Sequence, residues 1–559
     1  MGPRIKKRVT ERCLYKIGYR NNTSPPSRLR PVVRRVLRDK ITDNTAMKYP
    51  IGIQNFEKIR AEGFAYVDKT ATIYRLAQSG TYYFLSRPRR FGKSLFLSTL
   101  RAYFEGRKEL FKGLAIDKLE TEWKSYPVLY LDLNARDYVG AESLEAEMNR
   151  HLEVWEKQYG DEYHERATEE RFLQIIKKVY DQTGKRVVIL VDEYDKPLLQ
   201  TIDDPKAQES IRRKLKPFYS VLKTMDEYIQ FAFLTGVTKF GKVSVFSDLN
   251  HLMDLSLDKD YVDICGISER ELRQYFDEGV AELAAANSMT KEECYTRLRH
   301  CYDGYHFQPD TIGIYNPFSL LNTLARLQFK DYWFETGTPT ILVRQLQKTD
   351  YPLEDLTREE ITTDTLNCID VMNENPLPLI YQSGYLTIKS YDARFDVYTL
   401  GFPNKEVEEG FVKFIYPFYA PKTKSKSAFS VTAFVREIEA GDAEGFMRRL
   451  QALFADGNYQ VVGDEEIYFQ NTLYVFFKLL GFYVQVERHT TNGRLDILIE
   501  THDYIYILEL KKNQSAAIAL QQIDEKGYAL PFASDPRHLY KIGLNFNTAT
   551  RKIDDWAVK

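Results

Sequence analysis

The sequence predicts an α/β protein of several domains, and three observations predict it. The chain has 559 residues, too many for one hydrophobic core, so three to four domains are expected. Through its first half, runs of β-branched and aliphatic residues alternate with amphipathic stretches, the pattern of a parallel sheet flanked by helices. Near the C-terminus, two apolar runs on either side of a short turn carry acids and a lysine among their hydrophobic residues. Hydrophobic residues make up 43% of the chain and charged residues 28%, with no run approaching eighteen uncharged apolar residues, so a soluble protein outside the membrane is expected. The five cysteines (Cys13, Cys265, Cys294, Cys301, Cys368) form no C-x-x-C pair and the eight histidines no zinc spacing, which argues for a reducing cytoplasm and against structural zinc.

The first strand, Tyr82 to Leu85, enters Arg87-Pro88-Arg89-Arg90-Phe91-Gly92-Lys93-Ser94, and an amphipathic helix (Leu95, Phe96, Leu97, Leu100, Tyr103, Phe104) leaves it. Strand, loop and helix in that order read as a phosphate-binding loop. Backbone N–H groups of Arg89, Arg90, Phe91 and Gly92 at the helix start would hold phosphate oxygens of ATP, Lys93 would reach the β- and γ-phosphates, and the Ser94 hydroxyl would ligate Mg²⁺. The motif's first glycine is absent, since Arg87 stands five residues before Gly92. Further strands are expected at Val128–Asp132 and at Ile229–Leu234, the latter followed by Thr235 and Thr238, hydroxyls that could sense the γ-phosphate. Between them Val187–Val191 is unbroken and aliphatic and ends in Asp192-Glu193, as a buried parallel strand with function at its carboxyl edge would. Asp192 would hold Mg²⁺ through water, and Glu193 would polarise the attacking water.

The C-terminal runs carry a second constellation. Asp496 lies in Leu495, Ile497, Leu498, Ile499, and Glu509 and Lys511 follow Ile505, Tyr506, Ile507, Leu508. Strand side chains alternate faces, so Glu509 and Lys511 share one side, and a hairpin can bring Asp496 opposite them. Two carboxylates suit a hard cation such as Mg²⁺, and a nearby ammonium suits a reaction in which negative charge grows on phosphate oxygens.

The order of elements here, helix, three strands, helix, strand, resembles the PD-(D/E)XK nuclease fold. Asp496, Glu509 and Lys511 match that superfamily's D…(D/E)-x-K signature, although the proline before the first aspartate is Leu495. The resemblance implies roles for Glu466, matching the helical acidic motif, and Gln522, matching a glutamine of the later helix. Tyr66–Thr70, the Arg87–Ser94 loop, Asp192–Pro197, Tyr302-Asp303-Gly304-Tyr305, Asn316-Pro317 and Gly401–Val407 together resemble the bacterial AAA-ATPase-like family with a PD-(D/E)XK domain at its C-terminus. That family normally has a non-glycine loop start, and the resemblance implies nucleotide binding by Gly92, Lys93, Ser94 and Asp192.

Between the two ends, Ser268-Glu269-Arg270-Glu271 is a capping box that starts a helix running towards Leu283. Helical periodicity returns at Cys294–Cys301 and Phe318–Leu327, resembling the lid of such ATPases, and Gly384–Ile388 with Phe395–Leu400 alternate like the wing of a winged-helix unit. Lys422–Ser427 reads as an exposed hinge. Residues 1–46 hold thirteen Lys and Arg against three acids, +10 within a chain of net charge −1, which leaves −11 on the remainder. Translation is expected to start at Met47.

The expected fold is therefore α/β and multidomain: a basic extension (1–46), a P-loop ATPase core of parallel sheet flanked by helices (47–265), a helical lid and winged-helix-like middle (266–420), linker helices (421–458) and a PD-(D/E)XK nuclease-like α/β domain (459–559). The expected function is an ATP-binding and ATP-hydrolysing protein coupled to a Mg²⁺-dependent nuclease. Its partner is nucleic acid, DNA ahead of RNA, and self-assembly into a homo-oligomer fits. The alternative is a nucleotide-dependent nucleic-acid-binding or signalling module that does not cut.

Overall fold

Both faces of the N-terminal sheet are covered by helices, which is why its strands read as continuous apolar runs. The structure, a computed structural model, describes residues 47–160, 164–240, 251–333, 340–367, 369, 375–419, 431–455, 465–491, 494–550 and 552–559. The basic extension 1–46, Cys368 and the Lys422–Ser427 hinge lie outside the described residues. Strands β1 (Tyr82–Ser86), β2 (Val128–Asp132), β3 (Val187–Asp192), β4 (Ile229–Gly236) and β5 (Met253–Asp254) form a sheet in the order β2-β3-β4-β1-β5, with every pair parallel. Strand β3 is buried along its whole length. Because β4 lies between β1 and β3, the loops leaving those two strands open onto a common crevice at the carboxyl edge, where open α/β sheets bind ligands. The flanking helices Ala141–Tyr159 and Thr168–Thr183 are joined by a buried bidentate pair, Arg171 Nε and Nη2 donating to Glu156 at 2.7 Å each.

The helical region that follows has its own core of Leu272, Phe276, Val280, Leu298, Leu320 and neighbours. Its capping box is formed as expected: Ser268 Oγ accepts from the Glu271 amide (3.3 Å) and the Glu271 carboxylate from the Ser268 amide (2.9 Å). The single helix expected from there breaks into Glu269–Tyr275 and Asp277–Ala286. Phe276 leaves helical geometry between them, buried and stacked 6.0 Å from Tyr49. Helices Lys291–Tyr302 and Pro317–Arg326 and a short pair of strands, β6 (Ile267–Ser268) and β7 (Ile314–Tyr315), complete it. The expected hairpin is present as β9 (Thr387–Asp392) and β10 (Val397–Gly401), with an unforeseen strand β8 (Glu360–Thr362) on the outer side of β10.

In the C-terminal region, β11 (Gln485–Thr491), β12 (Arg494–Glu500), β13 (Tyr504–Lys512), β14 (His538–Asn547) and β15 (Lys552–Val558) stand in chain order. Only β13 and β14 are parallel, because the helix Ala516–Glu525 crosses between them. One face of this sheet packs on helices Val431–Glu439, Ala443–Ala455 and Glu465–Gly481, and the other on Ala516–Glu525. Helix Glu465–Gly481 serves two cores. Its Phe469, Leu473, Phe476 and Leu480 pack on the C-terminal sheet, whereas Tyr474, Val475 and Leu479 join the N-terminal core. Buried Asn471 bonds the backbone of the middle region in both directions, accepting from the Leu353 amide (2.8 Å) and donating to the Tyr351 carbonyl (2.9 Å). Lys478 pairs with Glu408 of helix Lys405–Tyr419 at 2.7 Å. Among the described residues no helix is long and apolar enough to cross a membrane.

Candidate functional sites

After β1 the backbone turns through Arg87–Gly92 into the helix Lys93–Phe104. Arg90 and Gly92 both adopt left-handed backbone, φ +71° and +96°, a conformation that turns successive amides into a concavity suited to anions. An added Cβ at Gly92 would meet no heavy atom within 4 Å, so backbone conformation rather than crowding requires glycine there. Lys93 is buried and folds back over the loop, its Nζ donating to the carbonyls of Arg87 (2.9 Å) and Pro88 (3.2 Å). Ser94 lies half-buried in the helix's first turn, which contains no acid. A concave run of amides, a helix N-terminus and a lysine spanning both fit a polyphosphate.

Arg87, in place of the glycine, turns inward and is 1% exposed. Its guanidinium donates to the carbonyls of Ser86 (3.0 Å), Ser256 (2.8 Å) and Tyr261 (3.1 Å) and stacks over the Phe307 ring at 3.9 Å. Burial lowers its pKa to about 10. The loop is thus anchored to the chain beyond β5 by a side chain that glycine lacks, while Arg89 and Arg90 stay exposed.

Across the crevice, Asp192 ends β3, accepting from Thr235 Oγ1 (2.7 Å) and Tyr130 Oη (3.3 Å). Glu193 follows with φ +52°, half-buried. Burial raises its carboxyl above the usual range, and the Lys93 charge opposes that rise. Thr235 and Thr238, expected as γ-phosphate sensors, both donate to acids at the end of β3: Thr235 to Asp192, and Thr238 to Asp195, which also takes the Thr238 amide at 2.6 Å. Sequence reading passed over Tyr130, whose alternate position on β2 beside Asp132 is the one signal that could have shown it.

At the other end of the chain, Asp496 of β12 is the register partner of Glu509 on β13, the position that shares its face in an antiparallel pair. Glu509 is fully buried, and Lys511, 7% exposed, donates from Nζ to its Oε1 at 2.7 Å. Lys511 also donates to Gln522 Oε1 on the helix Ala516–Glu525. That helix lies tight on the sheet because Glu509's neighbour on β14 is Gly543, where a Cβ would fall 2.3 Å from the Ala516 carbonyl. Glu466 lies in the first turn of helix Glu465–Gly481, one turn before Phe469, whose ring stacks on Phe546 at the end of β14. Its backbone is therefore at the end of the sheet where Lys511 pairs in register with Asn545. The side chains of Glu466 and Asp496 lie outside the described residues, and among the described ones no three acid, His or Cys side chains form a metal cluster. The chemistry of the donors, carboxylates beside an ammonium, fits a hard divalent cation.

Residues 50–246 match the family model described as a predicted AAA-ATPase, and residues 464–556 that of the PD-(D/E)XK nuclease superfamily. An uncharacterised protein encoded in the vnfD 5′ region of Azotobacter chroococcum mcd 1 is 34% identical over 522 residues, covering 92% of this chain and 99% of that one. Among solved structures, Drosophila ORC bound to GC-rich DNA and Cdc6 is 11% identical, covers 79% of this chain and 70% of its own, and has a TM-score of 0.20, too low to bear on the fold. Two family models in that order and a relative similar from end to end make this chain a member of the AAA-ATPase-like family with a C-terminal PD-(D/E)XK nuclease-superfamily domain.

Proposed function

We propose that this protein binds and hydrolyses ATP at the Arg87–Ser94 loop and uses that cycle to control a Mg²⁺-dependent nuclease at Asp496, Glu509 and Lys511, acting on DNA in preference to RNA. The observation that carries the reading is the pairing of Asp496 with Glu509 across β12 and β13, with Lys511 bonded to Glu509, in a chain whose other end holds a phosphate loop facing two acids. Lys93 would exchange its bonds to the Arg87 and Pro88 carbonyls for phosphate oxygens. Ser94 and Asp192 would hold Mg²⁺ there, and Glu193, its carboxyl raised by burial, would take a proton from the attacking water. In the C-terminal site Asp496 and Glu509 would hold Mg²⁺, with Glu466 beside them. Bound there, the ion supplies Lewis acidity and charge neutralisation. Lys511 would place its ammonium against the phosphodiester, and Gln522 would fix that ammonium's direction.

We place residues 47–265 with the ATPase, 266–420 with a lid and winged-helix-like unit, 421–458 with linker helices and 459–559 with the nuclease. The protein would work in the cytoplasm as a homo-oligomer, its thiols at Cys265, Cys294 and Cys301 free. A second reading, nucleotide-dependent binding of nucleic acid without cleavage, draws on the complete burial of Glu509. Cleavage of single- and double-stranded DNA and RNA with Mg²⁺, with and without ATP, separates the two. Lys511→Ala should reduce cleavage by about 10²-fold or more. A parent that binds DNA but never cuts it, or a Lys511→Ala that cuts like the parent, rejects the nuclease. An unchanged ATP response in Lys93→Ala rejects the control.

A further inference from the structure

Three consecutive residues of the phosphate loop are held from outside by three separate stretches of chain. The Arg89 carbonyl lies 3.5 Å from the Trp333 indole N–H, the Arg90 guanidinium lies 5.0 Å from the centre of the Phe318 ring, and the Phe91 ring meets Tyr305 edge-on at 4.8 Å. Two of these stretches meet at one carboxylate, and the third is tied close by in sequence, where Asn404 Nδ2 donates to the Asp303 carbonyl at 2.9 Å. Glu406 Oε1 accepts from the backbone amides of Trp333 (2.9 Å) and Tyr332 (2.6 Å) and from the hydroxyl of Ser319 (3.0 Å), the residue after Phe318. Burial, and then the Glu406 charge, raise the Tyr305 hydroxyl well above the usual tyrosine range.

Glu406 is 2% exposed, and among the described residues no Lys or Arg pairs with it. A buried carboxylate without a cation is costly, and three donors on one oxygen offset only part of that cost. A glutamine or a methionine would fill the same space at less expense, so the charge itself is informative.

Glu406 also stands in the first turn of the helix Lys405–Tyr419. That helix lies against Glu465–Gly481, joined by Lys478 to Glu408 (2.7 Å) and by Thr472 Oγ1 to the Tyr419 carbonyl (2.8 Å). The carboxylate that gathers the supports of the phosphate loop is thus built into an element that touches the helix bearing Glu466.

We propose that Glu406 is a positioning residue of the nucleotide site, holding Arg89 and Arg90 in place through Trp333 and Phe318, and that its helix passes the state of the loop to helix Glu465–Gly481. This rests on the nucleotide-binding reading above.

Burial pushes the Glu406 carboxyl up to about 7, against the lowering effect of the Trp333 amide, the Ser319 hydroxyl and the Tyr332 amide. The groups facing it are Asp331 before Tyr332, Cys301 and Tyr302 at the end of helix Lys291–Tyr302, Tyr305, and Lys405 beside it. Cys301, Tyr302 and Tyr305 are all raised by burial, away from neutrality. Other carboxyls raised by burial include Asp331, Asp303 at about 6 on the stretch bearing Tyr305, and Glu193 in the nucleotide site.

The test uses the full chain and a fluorescent ATP analogue with Mg²⁺. Its Kd is measured from pH 6 to 8.5, and hydrogen exchange of residues 465–481 is measured with and without the analogue. In the parent, affinity should fall about threefold or more as pH drops through 7, because protonation removes the charge from the three hydrogen bonds at Oε1. Glu406→Gln keeps an acceptor without a charge and should lose the fall in affinity through pH 7. Asp331→Asn should keep the parent profile. Glu406→Ala should weaken binding about tenfold and abolish the analogue's effect on exchange at 465–481. If Lys93→Ala binds the analogue like the parent, the nucleotide reading is what fails. If Lys93→Ala loses binding while Glu406→Gln keeps the parent's pH profile, the positioning role is overturned. Should Glu406→Ala fold poorly, the Gln profile and the parent's exchange difference decide alone. A parent without any exchange difference at 465–481 overturns the relay.

Discussion

Gly543 offers the sharpest test of how the C-terminal site is held. It is the register partner of Glu509 on β14, and an alanine there would put its Cβ 2.3 Å from the Ala516 carbonyl oxygen and 3.0 Å from both the amide nitrogen and Cγ of Leu520. Ordinary contact needs nearly 3.5 Å, so the helix Ala516–Glu525 would have to lift by about 1 Å. It cannot lift freely. Its start is tied to the sheet by the Ala516 amide donating to Asp555 (2.7 Å) and the Gln514 amide to Asn545 (2.9 Å). The strain should cost about 1–3 kcal/mol, the range for overpacking a close-packed core. Tilting about those ties would carry Gln522 away from Lys511 and release the ammonium from its bearing on Glu509. Misplacement of that size costs on the order of 10²-fold in rate. Native-state hydrogen exchange of the β13 and β14 amides would read the stability change, and cleavage of a labelled DNA duplex the activity change. ATP-analogue binding should stay at the parental value. A Gly543→Ala protein with unchanged exchange and parental cleavage would refute the view that this helix, pressed onto the sheet, sets the direction of Lys511.

Three further outcomes are expected. Because the folded pKa of Glu406 lies at about 7, above the ordinary carboxyl value of 4.5, the folded state holds that proton more tightly. The associated stability is full below pH 4.5 and is lost as pH rises to 7, about 3 kcal/mol at most. Glu406→Gln should therefore be more stable than the parent at pH 8 and no more stable at pH 4.5, as read by chemical denaturation at the two pH values. Thr235→Val removes the donor to Asp192 and should lower ATP hydrolysis about tenfold at a cost of about 1–3 kcal/mol, checked by phosphate release and thermal melting. Arg87→Met should leave the carbonyls of Ser256 and Tyr261 without their donor and cost about 2–4 kcal/mol, with weaker analogue binding. Arg87→Gly, the general motif's residue, should not restore either property.

Elements whose burial is uniform were legible in the sequence. Strand β2 is found at its expected limits, and β1, β3 and β4 differ from expectation by one or two residues, since aliphatic runs of that length have one common solution between two helical layers. The C-terminal pairing was legible for a different reason: period-two alternation fixes which residues share a face, and the register follows. What escaped was set by tertiary contact. Strand β15 contains Lys552, Asp554 and Asp555 and has little strand propensity, yet it pairs because Ile553 fills the core and Asn545 bonds Asp554 at 2.8 Å. The break at Phe276 falls three residues before the run's one glycine, Gly279, with no Gly or Pro at the break itself. Of the candidate nucleotide site, the loop and the two acids were visible, but the inward turn of Arg87 was not, because its partners are carbonyls about 170 residues away and carry no signature. Glu406 was noticed only as part of a motif, since nothing local distinguishes a buried acid in a first helical turn from a solvated one.

Helix Glu465–Gly481 carries a consequence for anyone who wishes to work with the two halves apart. An expression boundary drawn at residue 459 would look natural, but it would strip the partners from Tyr474, Val475 and Leu479 and leave Asn471 without the backbone it binds. The resulting fragment would present a sticky stripe to its neighbours and precipitate. Moving this domain onto another protein would succeed only if both Lys405–Tyr419 and the Tyr351–Leu353 stretch travelled with it, so the smallest portable cassette is longer than its domain match by about 110 residues.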